Sequence, residues 1–230
     1  MTETVFNALA LIIPLVFAIV FHEVAHGWVA RMLGDPTADE QRRLSLNPLR
    51  HVDPFGTVIL PGILALTKAP IFGWAKPVPV NKYRLNNPRR DMMLVAAAGP
   101  GSNLVLALVG AVLLGLMVRA VGQSDPSTAL LFVAQNLKNF ILINVFLALF
   151  NLLPVPPFDG SHIVEGLLPP TLAEGYAKLR PYGFPLIIVL LLVVPLVFPQ
   201  AGIVENVVVP PVDWLLTYYG KLTTVIAGVG

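Results

Sequence analysis

The chain carries the sequence His22-Glu23-Val24-Ala25-His26 near the end of an apolar run that begins at Val5. Residues i and i+4 of a helix share one face, so His22 and His26 can offer imidazole nitrogens to one Zn²⁺. Glu23 lies beside them, where its carboxylate can take a proton from a water on the metal. A metal-binding pattern inside an apolar run predicts hydrolytic chemistry at membrane depth.

Composition indicates that the whole chain is an integral membrane protein. Of 230 residues, 56% are hydrophobic and only 12% are charged, and the mean hydropathy is +0.76. A span needs about 20 apolar residues, and four runs are candidates: residues 5–30, 92–118, 130–153 and 183–198. We expect an all-α, polytopic helical bundle that forms one domain over residues 1–230 and contacts membrane lipid. The net charge of +2 does not indicate a nucleic-acid partner.

The basic residues predict the orientation of the chain. Ten of the fifteen Lys and Arg lie at residues 31–50 and 68–90, and basic loops are retained in the cytoplasm. Between them, the apolar residues 55–66 are short for a span, which predicts a re-entrant segment that enters the membrane and returns. The first and third spans then end on the cytoplasmic side. We expect a multi-pass protein of the cell membrane of a prokaryote. Residues 203–226 fit either a final span or an interfacial helix.

Hydrolytic zinc sites use three protein ligands and keep the fourth position for water, so a third ligand is needed. The chain has no Cys, which leaves His, Asp and Glu. Asp159 is the strongest candidate, because it follows a proline-rich break after the third span and Gly160 permits close backbone approach. A carboxylate at this depth is costly unless it is paired or bound to a metal. The other candidates are His51, Asp53, His162 and Glu165.

Several of these residues have a second interpretation. Asp159 could cap the helix that follows it. His51 and Asp53 are expected to order their loop through turn hydrogen bonds, and His162 is expected to be a surface residue. Asn103 could join two helices by a hydrogen bond, or it could donate to the oxyanion that forms during catalysis.

At these residues the chain resembles the site-2 protease family of intramembrane zinc metalloproteases. The resemblance covers residues of about 10–170 and rests on residues 22–26, 47–54, 73–80, 99–103 and the Asn-x-x-Pro-x-Pro-x-x-Asp-Gly motif at 151–160. It implies that His22, His26 and Asp159 bind zinc. Two imidazoles and one carboxylate predict one Zn²⁺ per chain, and the direction of the spans predicts that it lies near the cytoplasmic side. The resemblance also implies that Glu23 is the general base, supports the oxyanion role of Asn103, and makes transmembrane segments of other proteins the substrates. We expect a compact member without PDZ or CBS modules.

Residues 76–80, Lys-Pro-Val-Pro-Val, predict a small β-strand element, because each proline biases its predecessor away from the helical region. The prolines leave one edge without N–H groups, while Lys76, Val78 and Val80 can donate on the other. Such an edge could hold an unwound substrate by backbone pairing. The prolines could equally protect the edge from unwanted pairing.

The main alternative function is a membrane zinc transporter or a zinc-binding membrane scaffold, since intramembrane His and Asp also mark ion pathways. Glu23 separates the two functions. A transporter needs it only as a ligand or counter-charge, whereas a protease loses its base when Glu23 is replaced by Gln.

Overall fold

The structure is a computed structural model that describes residues 3–59, 63, 74–122, 124–189, 193–198, 202 and 204–229. Within these residues the fold consists of helices. In chain order, the nine α-helices are α1 (Glu3–Met32), α2 (Thr37–Glu40), α3 (Pro88–Val121), α4 (Thr128–Asn151), α5 (Asp159–Leu167), α6 (Pro170–Ala177), α7 (Gly183–Ile188), α8 (Val194–Val197) and α9 (Val209–Ala227). Single 3-10 turns occupy Pro48–Arg50, Lys82–Arg84 and Arg180–Tyr182, and π-helical turns occupy Pro54–Ile59 and Val204–Val208.

Three of the described helices, α1, α3 and α4, are long and apolar enough to cross a membrane. They contain 30, 34 and 24 residues, so at 1.5 Å per residue even the shortest is about 36 Å long, against a hydrocarbon core of about 30 Å. These helices correspond to the first three predicted spans. The fourth predicted span, residues 183–198, includes residues 190–192, which lie outside the described part, and its described ends form α7 and α8.

Small residues allow the three long helices to pack closely. Ala10 and Ala18 in α1, Ala107 and Ala111 in α3, and Ala148 in α4 are completely buried. Without a large side chain at these positions, neighbouring backbones can approach each other, as they commonly do in membrane bundles. An amide hydrogen bond adds to this packing, since Nδ2 of Asn139 in α4 donates to the carbonyl of Ala10 at 2.7 Å.

The basic stretches meet at one end of the bundle. The N–H of Asn86, just before α3, donates to the carbonyl of Leu33, just after α1, at 2.9 Å. At the same end, Arg89 in the first turn of α3 donates to the carbonyl of Glu165 in α5 at 3.4 Å. The turn between α3 and α4 lies at the opposite end of those helices. This arrangement agrees with a common side for both basic stretches, and the identity of that side stays a prediction.

Helix α9 is part of the same bundle. The hydroxyl of Tyr219 donates to the carbonyl of Leu104 at 3.0 Å, and the hydroxyl of Thr223 donates to the carbonyl of Ala111 at 3.2 Å. Because both sequence numbers rise together, α9 runs parallel to α3. Nineteen residues make α9 about 28 Å long, and it packs against the middle of a span, so the packing favours a fourth helix at membrane depth.

The predicted β-strand at residues 76–80 is wrong, since no described residue belongs to a β-strand. The segment is extended, as its prolines require, but its backbone donates to other parts of the chain. The N–H of Lys76 donates to the carbonyl of His51 at 2.8 Å, and the N–H of Val78 donates to Oε2 of Glu23 at 2.7 Å. Proline spacing predicts an extended backbone, but it does not identify the acceptor for the amides that remain.

Half of the predicted re-entrant segment, residues 55–66, falls outside the described residues, because 60–62 and 64–73 are not among them. The described residues on either side of these gaps, Gly56 and Thr57 before them and Trp74 after them, contact each other. The N–H of Trp74 donates to the carbonyl of Gly56 at 3.1 Å, and the hydroxyl of Thr57 donates to the carbonyl of Trp74 at 2.9 Å. The chain therefore returns to the place that it leaves, as a re-entrant segment requires, and entry into the membrane stays a prediction.

Candidate metal centre

The helical spacing of α1 places His22 and His26 on one face, as predicted, and that face points into the bundle. Both side chains are buried, and their rings meet edge to face with centroids 4.6 Å apart. The two Nε2 atoms are 3.1 Å apart. At this separation the two Nε2 atoms can face one shared partner.

Asp159 supplies a carboxylate to this pair. Its Oδ2 lies 3.2 Å from Nε2 of His22 and 3.3 Å from Nε2 of His26. The structure thus brings together the three residues that the sequence predicts as ligands, and they form the one group of His, Asp and Glu side chains with metal-ligand spacing among the described residues. Asp159 is the first residue of α5, and no side-chain capping bond is present at this helix end, so the capping interpretation is not observed.

The second nitrogens of the histidines define which atoms are free for a metal. Nδ1 of His26 lies 2.7 Å from the carbonyl of Val95, which can only accept, so this nitrogen carries the hydrogen. Nδ1 of His22 lies 2.6 Å from Oδ1 of Asn103, whose amide hydrogens are donated elsewhere. When the imidazoles are neutral, both Nε2 atoms therefore present lone pairs.

Three acceptor atoms then face one another with no hydrogen between them. Oδ2 of Asp159 is buried and has no hydrogen-bond partner. In a tetrahedral site with metal–nitrogen distances of 2.0 to 2.1 Å, the ligand atoms stand about 3.3 Å apart, and the distances among these atoms are 3.1, 3.2 and 3.3 Å. A cation between them would satisfy all three, so the residues fit a metal ion.

Two glycines give the metal centre its space. A Cβ on Gly99 of α3 would stand 2.4 Å from Nε2 of His26 and 2.6 Å from Cε1 of His22. A Cβ on Gly160 would stand 2.2 Å from the carbonyl oxygen of Leu152. Any side chain at these positions would displace a ligand or the turn that carries Asp159. The close backbone approach predicted at Gly160 is confirmed.

Glu23 is half-buried and lies next to His22 on α1. Its Oε2 accepts a hydrogen bond from the backbone of Val78 at 2.7 Å. No hydrogen bond from a described residue to its second oxygen, Oε1, is observed. Within the described part of the chain, one carboxylate oxygen is therefore held by the backbone and the other has no hydrogen-bond donor.

Asn103 is completely buried and uses all of its hydrogen-bonding groups. Its Oδ1 accepts from His22, and its Nδ2 donates to the carbonyl of Ala18 at 3.1 Å and to Oδ1 of Asn144 at 2.8 Å. Both amide hydrogens are occupied, so donation to an oxyanion would require one of these bonds to open. The oxyanion role stays a prediction, and the present contacts favour orientation of His22.

His51, Asp53 and Glu165 are not part of the group formed by His22, His26 and Asp159. His51 is buried with Nε2 2.7 Å from the carbonyl of Ser45, and Asp53 accepts from the N–H groups of Phe55 and Gly56 at 3.1 and 2.7 Å. Both residues order their loop, as predicted. Glu165 forms an ion pair with Arg180.

His162 is not a surface residue, contrary to the sequence interpretation. It is half-buried on α5 and lines a cavity of about 460 Å³ beside Glu165 and Arg180. Burial lowers the pKa of His162, and the nearby Arg180 guanidinium lowers that pKa further. The sequence interpretation failed because α5 turns back onto the start of α3 instead of facing away from it, with Gly166 against Met93.

Sequence reasoning missed two buried polar residues that support the site. Asn144 on α4 fixes the amide of Asn103 and donates to the carbonyl of Phe140 at 2.8 Å. Asp35, completely buried after α1, accepts from the N–H groups of Thr37 at 3.0 Å and Asn81 at 2.6 Å. A signal was present for both: an Asn within an apolar span is costly without a partner, and Asp before Pro36 is typical of a turn.

Comparison with known proteins identifies the family. The model of peptidase family M50 matches residues 10–139 and 120–194. The chain belongs to this family. A Bacillus subtilis protein named "Putative zinc metalloprotease YwhC" is 42% identical to this M50 member over 186 residues, which are 81% of each chain. "Putative zinc metalloprotease Rip2" of Mycolicibacterium smegmatis is 33% identical over 175 residues, which are 76% of this chain and 62% of that protein.

No solved structure matches this M50 member significantly. The resemblance to the site-2 protease family is confirmed by the family match. Together with the three apolar helices, family membership makes the chain an integral membrane peptidase. The number of metal ions, the roles of individual residues and the substrates belong to the proposed function below.

Proposed function

We propose that this M50 member is an intramembrane zinc metalloprotease that hydrolyses peptide bonds in or near transmembrane segments of other membrane proteins. The observation that carries the proposal is the convergence of His22, His26 and Asp159 on one point. Glu23 is the next residue on α1, and its Oε1 accepts no hydrogen bond from the described residues. In this proposal, residues 1–230 form one domain that contains these four residues.

The ligand set fits one Zn²⁺ per chain. Two imidazoles and one carboxylate are a common set in hydrolytic zinc sites, which keep the fourth position open for water. When bound, the ion lowers the pKa of a water and polarises the scissile carbonyl. The Bacillus and Mycolicibacterium relatives are both named as zinc metalloproteases, which supports this choice of metal.

Glu23 acts as the general base in this proposal. Its Oε1 takes the proton of the attacking water, while Oε2 keeps its hydrogen bond to Val78. The same carboxyl group then returns the proton to the nitrogen of the departing chain, so the carboxylate is regenerated. His22 and His26 keep their Nδ1 hydrogens throughout, because Asn103 and Val95 accept them.

The position of the centre supports a membrane substrate. The ligands lie near the ends of α1 and α4 where the two basic stretches meet, and positive charge near a span favours the cytoplasm. We therefore propose an active site near the cytoplasmic side of the cell membrane of a prokaryote. A substrate helix would have to unwind before cleavage, because a helical backbone does not expose its peptide bonds.

A zinc transporter or scaffold is not favoured, because the family is a peptidase family. The discriminating experiment compares membranes of cells that carry wild-type protein with cells that carry Glu23→Gln, using quantitative proteomics. Single-pass proteins should accumulate uncut with Glu23→Gln. Glu3→Gln, an exposed glutamate on the same helix, is the matched control and should behave as wild type. Identical proteomes for wild type and Glu23→Gln, with both proteins zinc-loaded, would exclude the protease.

A further inference from the structure

The carboxylate of Glu23 is held by a segment that lies 55 residues away in the sequence. The N–H of Val78 donates to Oε2 of Glu23 at 2.7 Å. Val78 lies between Pro77 and Pro79, and prolines have no N–H, so this amide is the one donor that the tripeptide contains. The sequence therefore offers a single backbone hydrogen at this point, and Glu23 receives it.

Residues 74–81, which we name the strap, are fixed on both sides of Val78. Before it, Lys76 donates its N–H to the carbonyl of His51 at 2.8 Å, and Nη2 of Arg43 donates to the carbonyls of Lys76 and Pro77 at 2.9 and 3.3 Å. After it, the N–H of Asn81 donates to the completely buried Asp35 at 2.6 Å. Both anchors of the strap are thus independent of the metal ligands.

The side chain of Val78 fixes the strap onto α1. It is buried, and its Cγ1 would stand 2.7 Å from a Cβ on Gly27. Gly27 lies one helical turn beyond Glu23, so the absence of a side chain at Gly27 allows the strap to reach α1 at the level of the carboxylate. Packing and hydrogen bonding therefore place the Val78 amide at the same position.

We propose that the Val78 amide is a positioning group for Glu23, and that the strap is a fixed part of the active site. The amide holds Oε2 and so directs Oε1 toward the point where His22, His26 and Asp159 converge. A carboxylate on a flexible side chain loses rate when its orientation is not fixed, because proton transfer requires hydrogen-bond reach. This inference rests on the proposed base role of Glu23 and adds the group that orients it.

The inference changes how a substrate can bind. The amides of Lys76 and Val78 and the carbonyls of Lys76 and Pro77 are already bonded within the chain. Pairing of a substrate with the N–H groups of residues 76 and 78 would have to break their bonds to His51 and Glu23. The strap therefore orients the base and is not an open edge over these three residues.

Hydrogen–deuterium exchange of the purified full-length protein in detergent tests the contact without any activity assay. A peptide that spans residues 75–80 reports the amides of Val78 and Val80 only, since residues 77 and 79 are proline and the first amide of the peptide, that of Lys76, loses its label after digestion. Glu23→Leu removes the acceptor and keeps similar volume, whereas Glu23→Gln keeps an oxygen that can accept.

We expect one amide of this peptide to exchange at least about tenfold faster in Glu23→Leu than in wild type, because a lost hydrogen bond exposes its donor to exchange. Glu23→Gln should retain the wild-type protection although it is inactive. Unchanged exchange in Glu23→Leu would overturn the inference. Absence of proteolysis by wild-type protein would instead sink the proposed function and leave the exchange result standing, so the two failures are distinguishable.

A kinetic comparison separates orientation of the base from substrate pairing. Val78→Pro removes the N–H, and Val78→Ala keeps it while losing part of the side-chain contact with α1. In proteoliposomes with a transmembrane substrate, kcat of Val78→Pro should be at least about tenfold below that of Val78→Ala, with zinc content and KM similar. A raised KM with unchanged kcat would assign the amide to the substrate and overturn the inference.

Discussion

His22 donates its Nδ1 hydrogen to Oδ1 of Asn103 at 2.6 Å, and Asn103 is itself fixed by Asn144 on a third helix. A ligand of the proposed metal is therefore oriented by a buried hydrogen-bond chain that crosses from α1 through α3 to α4. Partners that orient a metal-binding histidine typically affect metal affinity about 10- to 100-fold.

Replacing Asn103 tests that chain. Asn103→Leu has similar volume and no acceptor, so zinc affinity should fall about 10- to 100-fold in a competition assay with a chelator. Asn103→Asp keeps an acceptor for His22 and should lose less zinc affinity. If Asn103→Leu binds zinc as wild type does and loses only kcat, Asn103 serves the oxyanion and not the ligand.

Metal analysis of purified variants tests the ligand assignment. Wild-type protein and Glu23→Gln should each contain about one zinc ion per chain, because Glu23 is assigned to proton transfer. His22→Ala, His26→Ala and Asp159→Ala should lose most of the metal. His51→Ala and His162→Ala provide the histidine controls and should retain it. Wild-type zinc in all three ligand variants would refute the assignment.

Two glycines in the same helix form a matched test of the space around the metal. Gly99→Ala would place a methyl group 2.4 Å from Nε2 of His26, whereas a Cβ on Gly101 would meet nothing within 4 Å. Gly99→Ala should therefore lose zinc and destabilise the fold by about 1 to 3 kcal/mol. Gly101→Ala should keep zinc and gain about 0.5 to 1 kcal/mol from helix propensity. Zinc content and thermal unfolding in detergent give both readouts, and equal zinc in the two variants would contradict the packing argument.

The orientation of the chain can be tested by thiol labelling, since the protein has no native Cys. Because α9 runs parallel to α3, the chain after α9 should lie on the same side as the turn after α3. An impermeant reagent added to intact cells should label Ser124→Cys and Val229→Cys and should not label Asn86→Cys until the membrane is opened. Labelling of Asn86→Cys alone would reverse the topology, and a shared side for Val229→Cys and Asn86→Cys would show that α9 does not span.

The convergence of His22, His26 and Asp159 was largely predictable from sequence, because it follows from two local rules. Helical periodicity fixes the relation of His22 to His26, and the direction of the spans brings Asp159 to the same end. Gly160, directly after Asp159, predicted a close backbone approach, and in the structure Gly160 lies against the carbonyl of Leu152. These inferences needed only the local backbone and the order of the spans.

The strap and the fixing of Asn103 were not predictable in the same way. Proline spacing correctly predicted an extended backbone at residues 76–80, but the acceptors for its amides are Glu23 and His51, which are distant in sequence. A β-strand was inferred because an extended segment usually pairs with a neighbouring strand. Which face of α3 carries Asn103, and which residue of α4 meets it, depends on helix rotation that a single sequence does not specify.

The origin of the three convergent side chains also has a consequence for biosynthesis. His22 and His26 leave the ribosome early, whereas Asp159 follows only after α3 and α4 have been made. Until Asp159 has been made, the nascent chain carries two of the three proposed ligands. On the proposed ligand assignment, a chain that ends before α5 lacks Asp159, so we expect truncated or unfinished chains to be inactive.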